Sequence, residues 1–208
     1  ANSFDLGREG AELRIPKGTK KKENFKLMFR QPEMRKLYDV CTSLRDKTIA
    51  LAMYQSFQGV GEVCGLNYGD VARELENDEK VLLIHIIREK TGVEYYTVLG
   101  EEAVGMLRLY LEERRKNGDV LRFDSPLFTK EGAQKSKYSR VTPNLIENSF
   151  KKLALTTRLV SREQMEVADL NPARPHALRS SGMTVAKLDG MNETAVEFMS
   201  GHKLDDTT

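Results

Sequence analysis

Apolar residues along this chain repeat with a period near 3.6 in most places, and in one place they form short β-branched and aromatic runs, so helices with a small patch of sheet are expected. Residues 1–24 carry neither pattern. They are polar, broken by Gly7, Gly10, Pro16 and Gly18, and end in the basic run Lys20-Lys21-Lys22, the make-up of a linker or flexible arm. Globular patterning starts near Phe25. Pro32 and Glu33 mark a helix entry, and Leu37, Val40, Cys41 and Leu44 follow at helical spacing. A second helix is expected from about Asp46 to Gln55 through Ile49, Leu51, Ala52 and Met53.

The segment from Gln58 to Asp70 holds four glycines, at 59, 61, 65 and 69. Their spacing matches neither nucleotide-binding fingerprint and no strand precedes them, so a turn into a short helix is expected. Two strands are then expected, Val81–Ile87, apolar and β-branched, and Val93–Val98, which mixes β-branched and aromatic residues. Arg88-Glu-Lys-Thr-Gly92 joins them as a hairpin connection with Lys90 at its tip. His85, between Ile84 and Ile86, falls on the opposite face from its neighbours and reads as structural.

Residues 101–116 read as a helix with Val104, Leu107 and Leu111 inside and Glu112, Arg114 and Arg115 outside, ended by Asn117-Gly118-Asp119. Pro126-Leu127-Phe128 is expected to be extended, and Gly132–Arg140 to be a polar loop. Another helix runs from Asn144 to about Leu155. The remainder is helical, with breaks at Pro172, Pro175 and near Gly190. The fold class is therefore mainly α with a small antiparallel β-sheet. An arm over 1–27 precedes a single domain over 28–208.

Composition narrows the functional classes. The 208 residues are 39% hydrophobic and 31% charged, with a net charge of only +2. Any nucleic-acid affinity must therefore come from uneven placement of charge. Cys41 and Cys64 are too few for a disulfide framework or a zinc site, and are expected to be buried as small apolar residues. No apolar run approaches membrane-spanning length and no signal-peptide segment is present. A cytoplasmic protein without membrane association is expected.

The chemistry-bearing stretch is near the C-terminus. His176 and Arg179 are three apart on an expected helix and so share a face, and His202 follows Gly201. Two imidazoles and a guanidinium make a cationic cluster suited to a phosphate. The whole pattern, PHALRSSGMTVAKL through VEFMSGHK, resembles the catalytic domain of tyrosine recombinases, the phage integrase family. EVCGLNYGDV at 62–71 and LRDKTIALAMYQ upstream are similar to a second segment of that family. The resemblance covers roughly residues 28–208.

The resemblance implies a role for each matching residue. Arg179 binds the non-bridging oxygens of the scissile phosphate, His176 hydrogen-bonds the phosphate or moves a proton, and His202 donates to it as charge develops. Lys90 protonates the leaving 5′-oxygen while its hairpin lies in the minor groove, and Glu62 supports the cationic group. Arg174 and Lys203 flank the site as phosphate contacts. Lys135, Lys137 and Arg140 form a basic loop able to follow a DNA backbone. The family's reaction uses a covalent 3′-phosphotyrosine and needs no metal or cofactor. It takes place on double-stranded DNA, within a protein tetramer when the protein is intact. This chain alone is expected to be a monomer.

Two positions depart from the family pattern. In the register set by Glu62 and Leu66, the first catalytic arginine falls at Gly59. A tyrosine nucleophile is expected a few residues past Thr208, so this chain is expected to be inactive by itself. None of the seven tyrosines, at 38, 54, 68, 95, 96, 110 and 138, stands at the nucleophile's place. A degenerate, inactive DNA-binding relative with a regulatory role is the alternative. A metal-dependent hydrolase built on His176 and His202 lacks a carboxylate at ligand spacing.

Overall fold

The computed structural model describes residues 27–88, 92–131, 138–168 and 171–202. Its centre is helix α2 (Leu44–Ser56), which packs on both α5 (Glu101–Lys116) and α8 (Pro175–Leu188). Ile49, Ala50, Ala52 and Met53 are each buried to 2% exposure or less. The charges in its first turn go inside too. Arg45 Nε donates to Asp46 Oδ1 at 2.8 Å and Arg45 Nη1 to the Thr129 carbonyl at 3.1 Å. The Ser149 hydroxyl donates to the second Asp46 oxygen. Each buried charge thus has a partner, which offsets the cost of taking it out of water.

The crossing of α8 over α2 depends on Gly182. A Cβ built there would lie 1.9 Å from the Tyr54 carbonyl oxygen, so no side chain fits between the two helices.

Upstream, the two expected helices are present, but the break between them falls at 41–43, before Leu44 and not after it. Helix α1 ends at Val40 and α2 starts at Leu44. The Ser43 hydroxyl accepts from Asp46 N at 3.1 Å, an N-cap that restarts the helix. The four-glycine segment does turn into short helices, as expected: α3 (Val60–Gly65), a 3-10 turn (Tyr68–Asp70) and α4 (Ala72–Glu76).

Strands β1 (Leu82–Ile87) and β2 (Glu94–Leu99) pair antiparallel, from Leu82 opposite Leu99 to Ile87 opposite Glu94. Leu82, Ile84, Ile86, Tyr95, Thr97 and Leu99 face the core. His85 points outward as the alternation predicts, against Tyr96 and 2.5 Å from Glu94 Oε1.

Helix α5 has the predicted bounds, with one correction. Arg114 is buried at 5% exposure, not outside. Its Nε donates to Asp119 Oδ2 at 2.7 Å and its Nη1 to the carbonyls of Pro126 and Leu127, each at 2.8 Å. A long guanidinium can complete the backbone of a neighbouring extended segment from an inward position. That segment pairs with the 66–68 turn through Tyr68 N to Ser125 O and Leu127 N to Leu66 O, each 2.8 Å.

Helices α6 (Pro143–Thr156) and α7 (Arg162–Val167) follow. Helix α8 then begins with Pro175 in its first turn, and α9 (Glu193–Met199) comes last. The architecture is mainly α with a small two-stranded antiparallel sheet. Both cysteines are buried and free, and burial pushes the Cys64 thiol up to about 11. Among the described residues, no helix is long and apolar enough to cross a membrane.

Candidate functional site

The Gly-His dipeptide acquires a physical meaning at the end of α9. Ser200 is the C-cap, and Gly201 takes φ +65. Gly201 N then reaches the Phe198 carbonyl at 2.9 Å and His202 N the Glu197 carbonyl at 3.1 Å. This is a Schellman ending, which wants glycine at the left-handed position. Space makes the same demand, because a Cβ on Gly201 would lie 2.6 Å from the Tyr95 ring. The turn places His202 beside α8.

The last carbonyl of α9 draws in two cations. Arg179 Nη2 and Arg88 Nη2 each donate to Ser200 O at 2.7 Å. A helix C-terminus carries partial negative charge, so both contacts are favourable. Glu62 joins the same two groups from the other side. Its Oε1 accepts from Arg88 Nε at 2.8 Å, and its Oε2 lies 3.3 Å from Arg179 Nη1. The Gly59 N–H also donates to Oε2, at 2.6 Å.

These contacts set the charge states. Burial pushes the Glu62 carboxyl up, but the Gly59 N–H, the Arg88 bond and the two arginine charges outweigh it and hold it below the usual range. Arg179 is lowered, first by burial, with the Arg88 charge acting in the same direction against the pull of Glu62. The carboxylate is therefore an anion between two guanidinium groups, which leaves the three with a net positive charge. Tyr95 lies in the layer beneath. Its ring centroid is 5.8 Å from the Arg88 guanidinium carbon, and its phenol is pushed up by burial first and by Glu62 second.

His202 completes the cluster. With Nδ1 against the Glu197 carboxylate, Nε2 faces Arg179 Nη2 at 3.5 Å. Lys187 Nζ holds Glu197 in place, 2.7 Å from Oε1. The Lys187 bond first and the His202 bond second keep Glu197 below the usual carboxylate range.

Of the residues singled out in the sequence, Glu62, Arg179 and His202 come together here. His176 lies on the exposed side of α8, one turn before Arg179. Arg174 is the N-cap of α8, half-buried. Arg140 is engaged with the end of α3: Nη1 donates to the carbonyls of Cys64, Gly65 and Leu66 at 2.6–2.9 Å, and Nη2 to Asn67 Oδ1 at 2.5 Å. Lys90, Lys135, Lys137 and Lys203 fall outside the described residues.

Sequence reasoning missed Arg88, Glu197 and Lys187. For Arg88 a signal existed: counting by twos from Leu82 puts position 88 on the inward face, where a charge has to find a partner. Among the described residues, no group of three or more His, Cys, Asp or Glu side chains is placed to hold a metal ion.

A cluster of guanidinium groups beside an imidazole has the chemistry to bind an anion such as a phosphate. That class of site, on this mainly helical frame, coincides with a known family. The phage integrase family profile matches residues 28–208, and the chain belongs to that family.

Solved structures share the fold. A XerA recombinase superposes with a TM-score of 0.64 at 20% identity, covering 88% of this chain and 58% of that one. XerH site-specific recombinase bound to difH substrate, in a pre-cleavage complex, gives 0.63 at 18% identity over 87% and 48%. A lambda integrase tetramer bound to a Holliday junction gives 0.60 at 16% identity over 90% and 50%. The chain therefore spans about half the length of these proteins. No curated protein matches the chain.

Proposed function

We propose that this chain is the DNA-cutting domain of a site-specific recombinase, acting on double-stranded DNA within a tetramer of the intact protein. One observation carries the reading: Arg179, held by Glu62 and Ser200 O, stands beside His202, whose Nε2 lies 3.5 Å from Nη2. Such prearranged donors stabilise charge that builds up on phosphate oxygens, each contributing on the order of 3 kcal/mol.

In the reaction, a tyrosine hydroxyl from chain continuing past Thr208 attacks the scissile phosphorus. Its O–H proton passes to the His176 imidazole, a phosphorus–oxygen bond to the phenol forms, and the bond to the 5′-oxygen breaks. The 5′-oxygen takes up a proton, which the family resemblance assigns to Lys90. Arg179 binds the non-bridging oxygens, and His202 donates as their charge rises. The family resemblance gives His176 this proton transfer from the tyrosine or a hydrogen bond to the same phosphate. Rejoining reverses these steps, so bond energy is kept and no cofactor takes part. Arg174 and Lys203 flank the phosphate site as backbone contacts, and Lys135 and Lys137 follow the DNA further out, while Arg140, spent on the end of α3, anchors its segment to the fold.

The test is relaxation of supercoiled plasmid by the intact protein in EDTA. Metal-independent relaxation, lost in Arg179→Ala, is the expected result. Relaxation that needs a divalent metal, or that survives Arg179→Ala, overturns the reading. A second reading, a DNA-binding regulator without catalysis, has Gly59 behind it, where the family pattern calls for an arginine. Tight DNA binding by the intact protein without relaxation would favour it.

A further inference from the structure

The structure brings a second guanidinium to the place where the sequence lacks one. Arg88 enters from the end of β1, on the inward face of the hairpin, with its side chain 20% exposed. Both of its observed bonds go to groups that Arg179 also uses, the Glu62 carboxylate and the Ser200 carbonyl. Two arginines held against each other repel, and one carboxylate neutralises only one of them. Folding alone has little use for such a pair, whereas an oxyanion placed between them balances the surplus.

Gly59 opens the room. A Cβ at that position would stand 3.4 Å from Arg179 Nη1 and 3.2 Å from Glu62 Oε2. A side chain from residue 59 would thus enter this same cluster, and in its absence the cluster's second guanidinium is Arg88.

We propose that Arg88 is the second arginine of the phosphate site, gripping the same phosphate as Arg179 in place of a side chain at position 59. The proposal deepens the recombinase reading and rests on it for the identity of the phosphate as DNA. Two of the five N–H donors of Arg88, one on Nε and one on Nη2, are taken up by the bonds to Glu62 and Ser200. A guanidinium fixed in this way meets a phosphate with its orientation already set.

Two measurements test it separately from the reading. The first titrates inorganic phosphate into the 208-residue chain and follows the arginine Nε–H signals by NMR. The Arg88 and Arg179 signals are expected to shift together with one midpoint, and Arg88→Gln is expected to weaken phosphate binding at least several-fold. An Arg88 signal that stays still while Arg179 moves overturns the proposal, whatever the protein does to DNA.

The second uses plasmid relaxation by the intact protein. Arg88→Gln is expected to lower the rate by about 100-fold. Adding Gly59→Arg to that variant is expected to recover at least a tenth of the original rate. An Arg88→Gln protein that relaxes plasmid normally overturns the proposal but leaves the recombinase reading standing. An intact protein that never relaxes plasmid, yet moves both arginine signals with phosphate, overturns the reading and keeps the paired site. Thermal unfolding of Arg88→Gln and Arg88→Lys separates lost binding from lost fold: a folded Arg88→Gln chain that binds phosphate like the parent also counts against the proposal.

Discussion

Arg88 and Arg179 donate to one and the same oxygen, the Ser200 carbonyl, each at 2.7 Å. Residues 112 and 21 positions away in the chain are thereby tied to a single backbone atom at the end of α9. Glu62 bridges the same pair from the opposite side. The site is consequently also a structural clasp that joins α3, the hairpin, α8 and α9.

Glu62→Gln breaks that clasp and leaves two inward-facing cations with one neutral partner. The expected cost is on the order of 3 kcal/mol, as for other buried ion pairs that lose one member. At roughly 2–4 °C per kcal/mol for a domain of this size, the melting temperature drops by about 10 °C. Calorimetry or thermal circular dichroism checks it, and a shift within about 1 °C would contradict the clasp.

The same pair predicts a pH dependence. Glu62 has a folded-state pKa below its ordinary value of 4.5. Its contribution to stability is therefore complete above the ordinary value and is lost as pH falls through the lower folded value. The stability gap between wild type and Glu62→Gln should stay constant from about pH 6 to 8 and close on acidification below about pH 4.5. A gap that widens in acid would mean the carboxyl is protonated in the native protein.

Gly182→Ala tests the crossing of α8 over α2. The added methyl would sit 1.9 Å from a backbone oxygen, so a helix has to move. A loss of about 3 kcal/mol or more is expected in urea unfolding. Gly61→Ala makes the control, because a Cβ there meets nothing within 4 Å.

Much of this was legible in the chain, and the limits have physical causes. Two β-branched and aromatic runs around a turn marked the hairpin, strand alternation gave the outward turn of His85, and the helix signals bounded α5 to the residue. The break between α1 and α2 was expected after Leu44 and falls at 41–43, because Cys41 and Leu44 keep helical spacing across it; the Ser43 cap with Asp46 after it marks the restart. Arg114 read as surface because sequence alone does not show that three polar groups wait for it inside. In the site, spacing along α8 brought out Arg179, and the Gly-His dipeptide brought out His202. Arg88 escaped notice because Lys90 drew attention to the tip of the hairpin, while an inward-facing position two residues earlier held the arginine that reaches the cluster.

DNA binding should depend steeply on salt. If the domain covers half a dozen phosphates or more, affinity falls by at least about 10³-fold between about 50 and 200 mM salt, because each neutralised phosphate releases counterions. Fluorescence anisotropy with a labelled duplex measures the slope, and a flat response would argue against a phosphate-binding cleft. EDTA should leave the affinity unchanged.

The most direct test of the account is to trap the covalent intermediate. The intact protein would be mixed with duplex DNA carrying its recombination site, denatured and digested, and searched by mass spectrometry for a tyrosine bearing a nucleotide remnant. A 3′-phosphotyrosyl peptide from beyond Thr208, absent in Arg179→Ala, is the predicted result. Cleaved DNA with a free phosphate and no modified tyrosine would contradict the account.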